Sequence, residues 1–267
     1  MKFSFSVVAC LMVGFSVVLT AGCAAQNAPL NQISSSNSTQ EQGAKDDFPE
    51  ALLDPSKLNE KAPDSFRVKF ETSEGDFEIE VTREWAPNGA DRFYNMVKSG
   101  YFKDIYVFRA IKGFMFQFGV HGNPKVSAAW SEANIQDDKS AGISNLPGTI
   151  SFAQTGRPNS RSCQMFVNLG NNTMLDRSRG GGAPFLPFGK VVSGMETISK
   201  INTEYGENDR TDQGEFVAKG NSYIKGKYPN LSYIKSVSFV EEKGKEGENK
   251  EGVGQGTPTQ ATQGGGN

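Results

Sequence analysis

The first clear periodicity along the chain begins at Phe66. Residues 66–70 alternate apolar and polar as Phe-Arg-Val-Lys-Phe, and residues 77–81 do so again as Phe-Glu-Ile-Glu-Val, with Gly75 between them. A period of two marks strands with one face in a core, and a glycine between two such runs predicts a hairpin. The period then changes. Pro87 opens a stretch in which Ala90, Phe93 and Val97 recur at helical spacing, and Gly100 closes it. A proline in the first turn and a glycine just past the last predict a helix. Short apolar runs return at about 105–111 and 114–119, on either side of Gly113, and then at 148–153, 163–169 and 187–192. Met195, Ile198 and Ile201 predict a second short helix, and Ile234, Val237 and Phe239 mark a last strand at about 233–241. Segments 120–147, 171–186 and 203–232 read as loops. Many short strands, two helices and Gly-rich loops predict a mainly β fold, a closed antiparallel barrel with helices over its ends.

Both ends of the chain break this pattern. Residues 1–22, with Lys2 followed by an apolar stretch over 3–19, read as a secretory signal peptide. The run Leu19-Thr20-Ala21-Gly22-Cys23 resembles a bacterial lipobox, with Thr20 where leucine is usual. In such proteins the leader is cut before the cysteine, which then carries lipid. The expectation is a lipidated Cys23, then a tether over 23–62 rich in Ser, Asn, Gln and Ala, within which 48–58 packs locally. Such a protein sits outside the cytoplasm as a lipoprotein, anchored to a membrane by lipid rather than by a spanning helix. The globular domain is expected over 63–243, and 244–267, rich in Gly, Gln and Thr, as a disordered low-complexity tail.

Composition narrows the chemistry. The net charge of −2 over 267 residues, with Lys and Arg scattered, leaves no large basic patch, so no nucleic-acid partner is expected. The one histidine, His121, excludes a multi-histidine metal site, and it stands in a Val-His-Gly-Asn turn as a loop residue. Of the three cysteines, Cys10 and Cys23 belong to the leader region, which leaves Cys163 as a small buried hydrophobe with no disulfide partner in the domain. The acidic stretch 207–215 lacks the alternating ligands of a calcium loop and reads as solvated. No metal or organic cofactor is implied, and a monomer is expected.

The candidate chemistry lies at 108–117, Phe-Arg-Ala-Ile-Lys-Gly-Phe-Met-Phe-Gln. It places the permanently charged guanidinium of Arg109 near Phe114, Met115 and the amide of Gln117, with no good acid or base at neutral pH. A fixed cation, an apolar surface and an amide suit positioning and electrostatic stabilisation better than proton transfer. Along the later strand, Gln164, Phe166 and Asn168 alternate with Met165, Val167 and Leu169. If the second set faces the core, the first faces a groove beside Arg109.

These residues fall within a longer series of blocks. Ala86-Pro87, Gly100-Tyr101-Phe102, Phe108-Arg109 and Gly113-Phe114-Met115-Phe116-Gln117 are followed by Gly148-Thr-Ile-Ser-Phe-Ala153. Asn159-Ser160, Ser162-Cys-Gln-Met-Phe-Val167, Leu175-Asp176 and Pro187-Phe-Gly-Lys-Val191 complete the series. In this order, over about 66–241, the chain resembles the cyclophilins, the peptidyl-prolyl cis–trans isomerases. The resemblance implies an eight-stranded closed β-barrel capped by two helices. It implies a groove for proline-containing polypeptides, with Phe114, Met115, Phe166 and Leu175 forming the proline pocket. Gln117 and Gln164 correspond to amide contacts with the peptide backbone, Ala153 and Gln154 to the segment that pairs with the residue before proline, and Arg109 to the family's essential arginine. The alternative is a membrane-tethered module that binds proline segments without turning them over.

The chain departs from the family at several places. Phe118-Gly119-Val120 stands where Gly-Gly-Asp is common, and Gln154 where asparagine is common. Met174 stands where many members have the tryptophan that helps bind cyclosporin, so weak inhibition is expected. Phe185 lies nearest the place of the family's rim histidine, and 177–184, with three consecutive glycines, is expected to form a mobile loop beside the pocket.

Overall fold

A computed structural model of the protein describes residues 48–177, 183–206 and 212–241. The leader, Cys23, most of the tether, the glycine run and the C-terminal tail lie outside the described residues, as does most of 207–215.

The predicted hairpin forms. Strand β1 (Ser65–Thr72) pairs antiparallel with β2 (Gly75–Thr82). Its alternation sends Val68, Phe70, Phe77, Ile79 and Val81 into the core, where the paired rings of Phe70 and Phe77 stack 4.6 Å apart. Helix α1 (Pro87–Lys98) follows, with the predicted face of Ala90, Phe93 and Val97 buried. Its first-turn amides need outside acceptors. The Asp138 carboxylate accepts from Asn88 N and Gly89 N, and Arg161 Nη1, 2.9 Å away, holds that carboxylate.

The remaining strands are β3 (Ile105–Tyr106), β4 (Arg109–Ile111), β5 (Met115–Phe118), β6 (Thr149–Phe152), β7 (Met165–Asn168), β8 (Pro187–Ser193) and β9 (Tyr233–Phe239). All pairings are antiparallel, in the order β3-β9-β1-β2-β8-β6-β7-β5-β4. The single run expected at 105–111 is two strands that change partner: β3 pairs with β9, and β4 with β5. Val107 and Phe108 alone separate them, so the two edges of the sheet meet at this point of the chain. Counted as one run, they make the strand number eight. The sheet edges are joined there by the backbone rather than by a ladder.

The expectation of two helices needs correction. Three further α-helices occur among the described residues: α2 (Pro124–Ser131), α4 (Gln213–Lys219) and α5 (Asn221–Lys227), with α3 (Met195–Ile198) the predicted short one. α2 and the α4–α5 pair arise in segments that read as loops. Each carries only one to three apolar anchors, too few for a visible helical period. Helices this short are marginal alone. Those of α4 and α5 form because Phe216 and Ile224 pack with Tyr106, Phe108, Val120, Tyr228 and Leu231 in a second apolar cluster beside the main core.

The segment from residue 48, assigned in sequence to the tether, packs against the domain. Leu52 is fully buried, and its carbonyl accepts from Trp130 Nε1 on α2 at 2.9 Å. Glu60 and Ala62 bond through their backbones to Asn95 and Asp91 on α1.

Candidate active site

Three neighbouring strands carry the site in register. Arg109 on β4 pairs with Gln117 on β5, and Gln117 with Phe166 on β7. Paired residues in antiparallel strands project to one face, roughly 4.5–5.5 Å apart. A single row therefore runs Arg109, Gln117, Phe166 across the sheet, and Ser151 on β6 extends it. Met115, two residues from Gln117 along β5, shares the face. The opposite row, Ala110, Phe116, Val167 and Ile150, is buried in the core. A register slip of one residue would exchange the two faces and destroy the site.

Phe114, Met115, Phe166 and Leu175 meet Arg109, Gln117, Ala153 and Gln154 around one cavity of about 220 Å³. This is below the roughly 300–1,000 Å³ of small-molecule sites and comparable with the volume of a side chain. Met115 and Phe166 are buried, while Phe114 and Leu175 are half-buried at the rim. Phe185 also lines the cavity and meets the Phe166 ring edge-on, with centroids 5.6 Å apart. The site assignment by sequence left it out, because nothing in its local pattern separates it from core phenylalanines.

Gln164 stands beside the cavity rather than in it. Its Oε1 accepts from Gln117 Nε2 at 2.9 Å, and Arg109 Nη1 donates to Gln117 Oε1 at 3.4 Å. A chain of side-chain hydrogen bonds thus runs Arg109–Gln117–Gln164, with the half-buried guanidinium at one end. Among the described residues no carboxylate lines the cavity. Gln164 faces a second, polar cavity of about 470 Å³, which shares Gln117, Ala153 and Gln154 with the first. Gln154 Nε2 donates to Ala183 O, which ties the segment after β6 to the chain leading into β8.

Other sequence assignments fall elsewhere. Asn168 shares the site face through its pairing with Met115 but is not open to the groove: it is fully buried there and hydrogen-bonded to Thr149, Asn145 and Asn172. Cys163 is buried, and burial pushes its thiol above its ordinary range, which keeps it protonated and inert. His121 is in a loop but is buried at 5% exposure, away from the cavity. Its Nδ1 accepts from Asn123 N at 3.0 Å, and burial lowers its pKa to about 4. Among the described residues no group of three or more His, Cys, Asp or Glu could hold a metal ion, and no helix is long and apolar enough to cross a membrane.

Residues 67–219 match the family described as cyclophilin type peptidyl-prolyl cis-trans isomerase/CLD. The chain is 36% identical over 135 residues to a peptidyl-prolyl cis-trans isomerase of Acinetobacter baylyi, covering 50% of this chain and 70% of that protein. It is 30% identical over 136 residues to peptidyl-prolyl cis-trans isomerase B of Escherichia coli, covering 50% and 82%. Among solved structures, a cyclophilin type isomerase of Cryptosporidium parvum overlaps 66% of this chain and 98% of its own at 18% identity, with a TM-score of 0.49.

Proposed function

The chain belongs to the cyclophilin-type peptidyl-prolyl cis–trans isomerases, and from that premise we propose that it turns over X–Pro bonds at the Arg109 cavity, in proteins outside the cytoplasm. The reaction breaks no bond. Resonance gives the amide C–N bond partial double-bond character, and rotation faces a barrier of roughly 18–20 kcal/mol. As the bond twists, the lone pair returns to the prolyl nitrogen. A donor aimed at that nitrogen stabilises the twisted state and not the planar ground state, which is the condition for acceleration. Each 1.36 kcal/mol of such preference is worth about tenfold in rate.

The row of residues supplies this division of labour. Met115, Phe166, Phe114 and Leu175 would hold the pyrrolidine ring. Ala153, Gln154 and Gln164 would hold the chain before it, so that the acyl side rotates against a fixed ring. Arg109, hydrogen-bonded to Gln117, would donate to the prolyl nitrogen. The observation that carries this reading is the cross-strand register that puts Arg109, Gln117 and Phe166 in one row over an apolar cavity. Lysine cannot replace Arg109, since a planar fork can hold Gln117 and the substrate together while a point charge cannot.

The test is exchange NMR on a short Ala-Pro peptide with the purified protein and its Arg109→Ala variant. The expected result is faster cis–trans exchange with the natural protein, reduced by at least about a hundredfold in the variant while peptide binding persists. Binding without acceleration in the natural protein would overturn the catalytic reading and leave a proline-binding module. The proposed cellular setting is a monomer on a lipidated Cys23, facing away from the cytoplasm. Labelling with a radioactive fatty acid tests this: label in the natural chain and none in Cys23→Ala supports the anchor, and equal labelling refutes it.

A further inference from the structure

Three of the large apolar walls of the cavity lie on no strand. Phe114 is in the turn between β4 and β5, Leu175 is in a 3-10 helix (Thr173–Asp176), and Phe185 is in the chain leading into β8. Phe114 is held next to Met115 by the chain itself and by its carbonyl, which accepts from Leu169 N at 2.8 Å, but no ladder fixes the distance of Leu175 and Phe185 from Met115 and Phe166. A cluster of buried asparagines behind the cavity does so instead.

Asn145 is fully buried and makes every side-chain hydrogen bond open to it. Its Nδ2 donates to Asp176 Oδ1 at 2.8 Å and to Phe185 O at 2.7 Å. Its Oδ1 accepts from Ser151 Oγ at 3.0 Å and from Asn168 Nδ2 at 3.2 Å. Its backbone N also donates to Asp176 Oδ1, at 2.9 Å, and its carbonyl accepts from Asn172 N at 2.9 Å. Asn172 in turn donates from Nδ2 to Phe114 O at 2.7 Å and to Asn168 Oδ1 at 2.7 Å. Phe185 N donates to Leu175 O at 3.1 Å.

One amide therefore joins two strands that carry the floor, β6 and β7, to the two loop walls at Leu175 and Phe185, while the link through Asn172 to the third starts from the main-chain carbonyl of Asn145. Burying an amide costs free energy unless all its groups are paired, and here all four bonds run between the sheet and the rim. Aspartate in its place could not donate, and serine could not reach both walls. We propose that Asn145 is a positioning residue for proline recognition: it holds the rim at the spacing that grips the ring, and it takes no part in the rotation that Arg109 promotes. This rests on the assignment of the cavity as the proline site.

The experiment measures two quantities by NMR in one titration with the Ala-Pro peptide: the dissociation constant and the exchange rate in the saturated complex. For Asn145→Ala the dissociation constant is expected to rise by about tenfold or more, because the walls must be ordered on binding. Bound-state exchange should stay within about twofold of the natural protein. Asp176→Ala removes the acceptor at a half-exposed position and, should Asn145→Ala fail to fold, carries the test with the same direction of change. Asn95→Ala is the control for simple loss of a buried amide. It forfeits bonds to Glu60 N, Glu60 O and Asp91 O, none of which lines the cavity, so it should lower Tm and leave both quantities alone. An unchanged dissociation constant in Asn145→Ala and Asp176→Ala, or an equal loss of binding and bound exchange, overturns the proposal. A natural protein that binds but does not accelerate exchange overturns only the catalytic reading above, since the binding split is read independently.

Discussion

His121 offers the cleanest quantitative test of the packing, because it is the only imidazole in the chain. It lies between Phe48 and Tyr101, with ring centroids 6.3 Å and 5.1 Å away, at 5% exposure. Burial disfavours the imidazolium and lowers the pKa from 6.5 to about 4, against the smaller opposing effect of the backbone at Asn123. In the unfolded chain the group titrates at its ordinary value. Between pH 6.5 and about 4 the unfolded state therefore binds more protons than the folded one, so stability rises with pH through this window. The contribution is fully present above pH 6.5 and is lost as pH falls to about 4. The difference between 6.5 and about 4, at 1.36 kcal/mol per pH unit, is about 3 kcal/mol. Urea denaturation at a series of pH values from 7.5 downwards should show this loss in the natural protein beyond that in His121→Gln, where only carboxylates titrate. The imidazole proton resonance should show no midpoint near 6.5. Parallel pH profiles for the two proteins, or a midpoint near 6.5, would refute the argument that burial governs this residue.

Gly119 has φ +112°, and a Cβ there would lie 2.9 Å from Gln164 Cα and closer still to Cys163 O. Neither neighbour is a movable side-chain end, so Gly119→Ala should cost about 2–5 kcal/mol in chemical denaturation and weaken peptide binding by displacing Gln164. Leu52→Ala should cost about 2–5 kcal/mol through the cavity it leaves, yet preserve isomerase activity, because that contact lies on α2 and away from the groove; a loss of activity in the folded variant would contradict this. Met174 is 47% exposed on the turn that carries Leu175. Inhibition by cyclosporin should be weak, and Met174→Trp should strengthen it at least several-fold in a competition assay, an unchanged inhibition constant being the contrary result.

The sequence by itself determined the elements whose information is local. The alternation at 66–70 and 77–81 needs only a period of two, and Pro87 with Ala90, Phe93 and Val97 needs only a helical turn. The family resemblance likewise rests on ordered blocks that can be read without coordinates, and it named eight of the nine residues that line the cavity, with Gln164 just beside it. Tertiary structure decided the rest. The run 105–111 is uniformly suited to a strand, and only its two partners, Ile234 and Gln117, show where it divides. α4 and α5 are too short and too sparsely apolar to declare themselves, and their helical form depends on a cluster assembled from distant residues. Phe48–Ala62 resembles a tether because its burial is supplied by α1 and α2 rather than by its own composition. Asn145 joins residues between 6 and 40 positions away. A buried amide is favourable only when every partner is in place, and which partners those are is a property of the tertiary fold.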